Sequence, residues 1–149
     1  MKVLFVYPGF PDTFWSFKHA LRFVRKKASF PPLGLLTVSA LLPSGWEKRL
    51  VDMNVRKLRD NDLMWADYVF VSAMVAQRDS TVHVVERCDE LGVKVVAGGP
   101  LFLGEYQDFP TIDHFVLGEA EDIMAEFAAD LESGIARKVY QDDTFPSME

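Results

Sequence analysis

Five runs of apolar, largely β-branched residues set the terms on which this chain can fold: Val3 to Tyr7, Leu50 to Met53, Tyr68 to Ser72, Val93 to Ala97 and His114 to Leu117. They are nearly continuous rather than alternating, as strands of a parallel sheet covered on both faces must be. Helix patterns lie between several of them. From Ser80 to Leu91 the residues Val82, Val85, Cys88 and Leu91 recur at helical spacing, with Asp79 or Ser80 as N-cap and Gly92 as the stop. A second helix is expected from Glu119 to Ser133, where Ile123, Phe127 and Leu131 share a face, acids crowd the first turn and Gly134 follows the end. The stretch "PPLGLLTVSALLPSG" is apolar nearly all round, with Pro31 and Pro32 presetting its entry and Pro43 and Gly45 closing it, so a deeply buried helix is expected there. Alternation of strands and helices predicts an α/β, Rossmann-like (flavodoxin-like) fold. It should be doubly wound, with a mainly parallel five-stranded sheet and helices on both faces.

With 149 residues, 49% of them hydrophobic and 26% charged, the chain can bury one real core. A net charge of -6 and a pI near 5.0 argue against a nucleic-acid surface, which needs a basic face. The short basic run from Arg22 to Lys27 reads as a solvated helix end, closing a segment in which Phe14, Phe17, Leu21 and Val24 form one helix face. Cys88 is the single cysteine, which excludes an intrachain disulfide and any cluster held by several thiolates. It lies on an apolar helix face, where an inert buried thiol is expected. A reducing, cytoplasmic setting fits that cysteine usage. "MKVLFVYPG" reads as a first strand rather than a signal peptide, and no apolar stretch is long enough to span a membrane. Residues 137–149 are polar and read as a tail leading toward something else, leaving residues 1–136 as the domain.

In a doubly wound sheet, ligands lie beyond the carboxyl ends of the strands near the switch point. The loops there are "PGF", "SAMVAQ", "GGPLF" and "GEAE". They offer glycines, small side chains and apolar atoms, with few groups able to move protons or attack a carbonyl, so no catalytic or metal-ligating residue is nominated. In "VVAGGPLF", Gly98 and Gly99 lack Cβ atoms and would let a large, flat, partly apolar ligand approach the backbone. A phosphate-accepting receiver domain is a poor match, because the positions after the first and third strands read Tyr7-Pro8 and Ser72-Ala73 where acids are needed. A flavin- or nucleotide-binding flavodoxin-like domain would want a hydroxyl-rich first loop, where this chain has "PGFPD".

The segments "FPPLGLLTVSALLP", "LVDMN", "VFVSAMVAQRDS", "VVAGGPLF" and "DHFVLGEAE" occur in order and at suitable spacing. In them the chain resembles the N-terminal cobalamin-binding domain of cobalamin-dependent radical S-adenosylmethionine enzymes, especially the subgroup with a DUF4070 region downstream. The resemblance covers roughly the whole chain. It implies that the corrin lies over the C-terminal sheet edge, against "VVAGGPLF". The residues it nominates for cofactor contact are Pro8 and Gly9 after the first strand, Leu33 and Gly34 in the apolar helix, and Ser72, Met74, Val75 and Gln77 after the third strand. Gly98, Gly99 and Pro100 after the fourth, and Gly118 and Glu119 after the fifth, complete the set.

In that family a following barrel carries a CxxxCxxC motif for a 4Fe-4S cluster used with S-adenosylmethionine. This chain has no such motif, so the resemblance implies a cofactor module whose partner is a barrel domain of a parent enzyme, with methyl transfer among the reactions open to it. The DxHxxG motif that supplies a cobalt-binding histidine in methionine-synthase-like domains is also absent. His19, His83 and His114 lie outside it and read as an early-helix, a helix-surface and a strand-start residue. Cobalamin bound base-off and without a histidine ligand is the resulting expectation, with the loop from Met74 to Gln77 beneath the ring. A cofactor-free interaction domain stays open beside it, with the apolar loops Pro8 to Phe17 and Leu101 to Phe109 as the contact patch.

Overall fold

The structure, a computed structural model, describes residues 1–11 and 31–141. Six strands form one parallel sheet: β1 (Lys2–Tyr7), β2 (Glu47–Asp52), β3 (Tyr68–Ser72), β4 (Lys94–Gly98), β5 (His114–Leu117) and β6 (Val139–Gln141), in the order β2-β1-β3-β4-β5-β6. The α/β doubly wound architecture is as expected, but the sheet has six strands instead of five. The sixth falls in the stretch read as a tail. It has only three residues, and its place is fixed by pairing with β5 rather than by any run of its own.

Five helices connect the strands: α1 (Leu33–Leu41), α2 (Asp60–Trp65), α3 (Arg78–Leu91), α4 (Pro100–Glu105) and α5 (Ala120–Ser133). On one face, α2, α3 and α4 close over Leu4, Val69, Val71, Val95 and Phe115. On the other, α1 and α5 close over Val3, Phe5, Phe70, Val96 and Val116. Strand residues thus alternate between two apolar layers, which is why the runs read as continuous.

Glycines with left-handed backbones end the two long helices, Gly92 at φ 67 and Gly134 at φ 71, as their sequence positions predict. The buried face of α3 is Thr81, Val84, Val85 and Cys88, and Leu91 is exposed, so the predicted stripe is correct only in part. In α5, Ile123, Phe127 and Leu131 are buried as expected.

The expectation for α1 needs correction. Leu35 is its one buried residue, while Leu33, Leu36 and Leu41 are exposed. A helix apolar on every side gives the pattern no face to choose, and this one packs on β3 and α5 along a single side. Its C-terminal carbonyls at Ser39 and Leu42 accept hydrogen bonds of 2.8 and 2.9 Å from the Lys48 ammonium, a cation at the negative end of the helix. Near that same end, Trp46 Nε1 donates to Glu132 at the end of α5 (2.8 Å). The segment expected to form an early helix, from Asp12 to Lys27, lies outside the described residues.

Candidate functional site

At the carboxyl ends of β3, β4 and β5 the two walls α1 and α5 leave a cleft of about 210 Å³. Phe70, Val96 and Val116 form its floor, with Leu35, Val38 and Met124 from the walls. Gly34, Thr37, Ser72, Gly99, Gly118, Glu119 and Glu121 stand higher up. The floor is apolar because these strand positions point into the α1–α5 layer, and the upper part is narrow in side chains because four of the residues nearby are glycines. A Cβ built on Gly34 would meet nothing closer than Ser72 Oγ at 3.8 Å, so this glycine leaves open space in the cleft wall.

Gly98 and Gly99 line the same cleft, yet their missing Cβ atoms answer to the protein itself. A Cβ on Gly98 would lie 2.8 Å from the Val116 carbonyl oxygen on the neighbouring strand. One on Gly99 would lie 2.7 Å from Ser72 Oγ and within 3.2 Å of the Ala73 backbone, and Gly99 also holds φ 96. That backbone angle, with ψ 175, belongs almost solely to glycine. It lets Pro100 begin α4 directly after the strand. The close approach foreseen in "VVAGGPLF" is therefore first a contact between β4 and its neighbours, and the bare backbone then forms part of the cleft lining.

Of the residues nominated from the sequence, Gly34, Ser72, Gly98, Gly99, Gly118 and Glu119 come together around the cleft. Leu33, Met74, Val75 and Pro100 are exposed at the adjoining sheet edge and do not line it. Leu33 is 66% exposed, Met74 49% and Val75 59%, an apolar platform open to whatever covers that edge. Pro8, Gly9 and Gln77 belong to neither group. Gln77 is 0% exposed. Its Nε2 donates to the Pro8 carbonyl (2.6 Å), its Oε1 accepts from Met74 N–H (2.8 Å), and its carbonyl accepts from the Thr81 hydroxyl (2.9 Å). A direct ligand contact for Gln77 is thus corrected to a tie between the β1 and β3 loops, both ends of its amide being used.

Pro8 O accepts in addition from Asn54 Nδ2 (3.2 Å), Gly9 N–H donates to Ser80 Oγ (2.9 Å) and Phe10 N–H donates to Asn54 Oδ1 (2.9 Å). Asn54 is itself held by Asp52. Burial, and then the Asp52 carboxylate, push the nearby Tyr7 phenol above its ordinary value. The first loop is therefore satisfied by its own protein. Ser72 differs: its hydroxyl makes no hydrogen bond among the described residues, although it faces Gly34 and Gly99.

Sequence reading missed Glu121 and Thr37 near the opening and the floor residues Phe70, Val96 and Val116. The floor was hidden because both sides of each strand are apolar, so no alternation marks the side that carries the cleft. Cys88 is buried and its thiol is pushed up to about 12, mainly by burial, as an inert thiol should be. His83 is exposed on α3 beside Glu86, and His114 starts β5 with Nδ1 2.7 Å from the Arg137 carbonyl, so both hold the structural places expected; His19 lies outside the described residues. Leu101, Phe102 and Phe109 are core residues, so most of the second apolar loop offers no contact patch. No group of three or more potential metal ligands occurs among the described residues, and no described helix is long and apolar enough to cross a membrane.

A cleft glycine-lined at the carboxyl edge of a doubly wound sheet is the setting in which residues 23–128 match the B12 binding domain. The chain belongs to that family. It is 38% identical over 136 residues to an uncharacterized methyltransferase of Synechocystis sp., a match covering 90% of this chain and 25% of the relative. It is 34% identical over 137 residues to the hopanoid C-2 methylase of Rhodopseudomonas palustris, covering 91% of this chain and 26% of that protein. The chain thus spans about a quarter of the length of these relatives.

As a B12-binding domain, the protein has residues that fit the two chemically distinct parts of cobalamin. The cleft is smaller than the ~300–1,000 Å³ of sites that enclose a drug-sized ligand, so it does not take the corrin. A flat aromatic base between an apolar floor and backbone walls does suit it, as an exposed apolar edge suits a flat macrocycle.

Proposed function

We propose that this chain is the cobalamin-binding module of a radical S-adenosylmethionine enzyme, with the corrin over Leu33, Met74 and Val75 and the benzimidazole tail in the α1–α5 cleft. Withdrawing the tail from the metal is what base-off binding means, and the cleft is the observation that carries the reading. Gly34, Ser72, Gly98, Gly99, Gly118 and Glu119 would hold the tail, and Pro100 would border the ring. Pro8 and Gly9 would act through the loop that Gln77 ties in place. The bound group would supply a cobalt centre able to carry a methyl group; the residues of this chain bind it, orient it and keep water from its tail.

The placement of His83 and His114 supports a metal without a histidine ligand, since one stands on the outer side of α3 and the other at the opposite end of a strand. Electron paramagnetic resonance of the cobalt(II) form should then show no nitrogen superhyperfine splitting, and splitting would end the base-off, histidine-free assignment. The radical chemistry, the 4Fe-4S cluster and S-adenosylmethionine belong in this proposal to a barrel domain elsewhere in a longer parent protein, for which the printed methylase activity of a relative is support. We set the module's edge after Gln141, because β6 completes the sheet.

The experiment compares retention of hydroxocobalamin and of cobinamide, which has the corrin but no nucleotide tail, by gel filtration with the purified chain. Cobalamin should comigrate and be held more tightly than cobinamide. Absence of cobalamin binding at high protein concentration rejects the reading; equal retention rejects the placement of the tail. Micromolar affinity agrees with it, since contacts from a second domain are missing.

A further inference from the structure

The charge around the cleft carries the reading one step further, and the step rests on the cobalamin assignment above. The residues lining the cleft include two acids, Glu119 and Glu121, and no lysine, arginine or histidine. Both carboxylates are exposed at the start of α5, and Glu119, although it occupies the N-cap position, makes no side-chain capping bond. The amino end of a 14-residue helix would ordinarily attract an anion such as a phosphate. Here the protein's own acids, Glu119 and Glu121 with Asp122 beside them, already stand where that anion would go. Below them the floor of Phe70, Val96 and Val116 is apolar, and the Ser72 hydroxyl remains available.

We infer that Glu119 and Glu121 are specificity residues that select an uncharged base-plus-sugar unit and turn away a nucleotide whose phosphate reaches the opening. A carboxylate accepts hydrogen bonds from sugar hydroxyls and repels a phosphate at the same position. The base and ribose of the cobalamin tail meet this condition, because the phosphodiester that joins sugar to corrin leaves the cleft with the ring. A free flavin or benzimidazole nucleotide bearing a terminal phosphate does not meet it. The same charges that favour the tail therefore disfavour the flavodoxin-like alternative.

Calorimetric titration of the chain with the riboside of 5,6-dimethylbenzimidazole and with its 5′-phosphate tests this, with flavin mononucleotide as a second phosphate-bearing probe. The riboside should bind roughly tenfold or more tightly than either phosphate at low salt, and the gap should shrink near 1 M salt, where the screening length is about 3 Å. In the double variant Glu119→Gln, Glu121→Gln, folding verified by circular dichroism, the gap should close. Equal binding of riboside and phosphate by the unaltered chain overturns the inference, as does a gap that salt and the double variant leave unchanged, or a riboside that fails to bind at millimolar concentration. Retention of hydroxocobalamin in parallel separates the two levels. If cobalamin binds while the charge discrimination is absent, only the role of the two glutamates is lost; if cobalamin does not bind, the family-based reading itself fails for this chain.

Discussion

Two halves of the same sheet edge have been finished in opposite ways. Beyond β1 and the start of α3, the loop groups of Pro8, Gly9 and Phe10 are saturated by Gln77, Asn54 and Ser80. Beyond β3, β4 and β5, Gly34 leaves space, Ser72 keeps a hydroxyl without a partner among the described residues, and the walls stand apart over an apolar floor. Both halves carry the small and polar residues that mark a ligand loop in sequence. The difference lies in whether the protein has already used them, and only the second half has capacity left for another molecule.

Glycine 99 gives the sharpest way to break this contrast. Gly99→Val brings a branched side chain against Ser72 Oγ and the Ala73 backbone at a left-handed position, so the loss of stability should exceed the ~1–3 kcal/mol of a strained backbone alone. Urea unfolding followed by circular dichroism measures it, and a variant as stable as the parent would show that the strand contacts do not require this glycine. In the saturated half, Gln77→Ala removes partners from the buried Pro8 carbonyl and the Met74 N–H and should cost about 1–3 kcal/mol in the same measurement. An unchanged midpoint would mean that the tie between the loops is dispensable.

The open half is tested without harm to the fold by Gly34→Leu. Its Cβ meets only ordinary contact distances, and a helix gains from losing an interior glycine, so the variant should be at least as stable as the parent. Cobalamin retention should fall at least roughly tenfold as the leucine fills the cleft. Full retention in this folded variant would remove the cleft from the binding site. The smallest effect belongs to a pair remote from both halves, Arg56 and Asp62 at 2.7 Å. The hydrogen bond from Arg56 lowers the Asp62 carboxyl below its ordinary value. A group lowered by folding stabilises above its usual range, and that contribution disappears as pH falls through the folded value. Asp62→Asn should therefore cost under about 1 kcal/mol at pH 7 and nothing measurable at strongly acidic pH.

Where local chemistry decides the structure, the sequence was readable. Tyr68–Ser72 and His114–Leu117 are strands with the bounds their apolar runs predict, and Gly92 and Gly134 end their helices with the backbone angles that glycine permits. Six-residue helices such as α2 and α4 are too short to show a period, and β6 exists through its pairing with β5. At the site, "VVAGGPLF" pointed to the right place for an incomplete reason, since Gly98 and Gly99 are demanded by Val116, Ser72 and Ala73 before any ligand arrives. Gln77 was misassigned because a polar residue in a ligand loop and a polar residue that fastens the loop look alike until its two hydrogen-bond partners are seen.

The bond from Trp46 to Glu132 sits at the end of α1 and α5 farthest from the glycines, and Lys48 fastens the same end of α1. The two helices are thus fastened like the spring end of a clothes-peg, with the jaws at Gly34 and Gly118. Any spreading of the jaws turns about an indole whose emission responds to its hydrogen bond, so the protein carries its own optical gauge of how far the peg has opened.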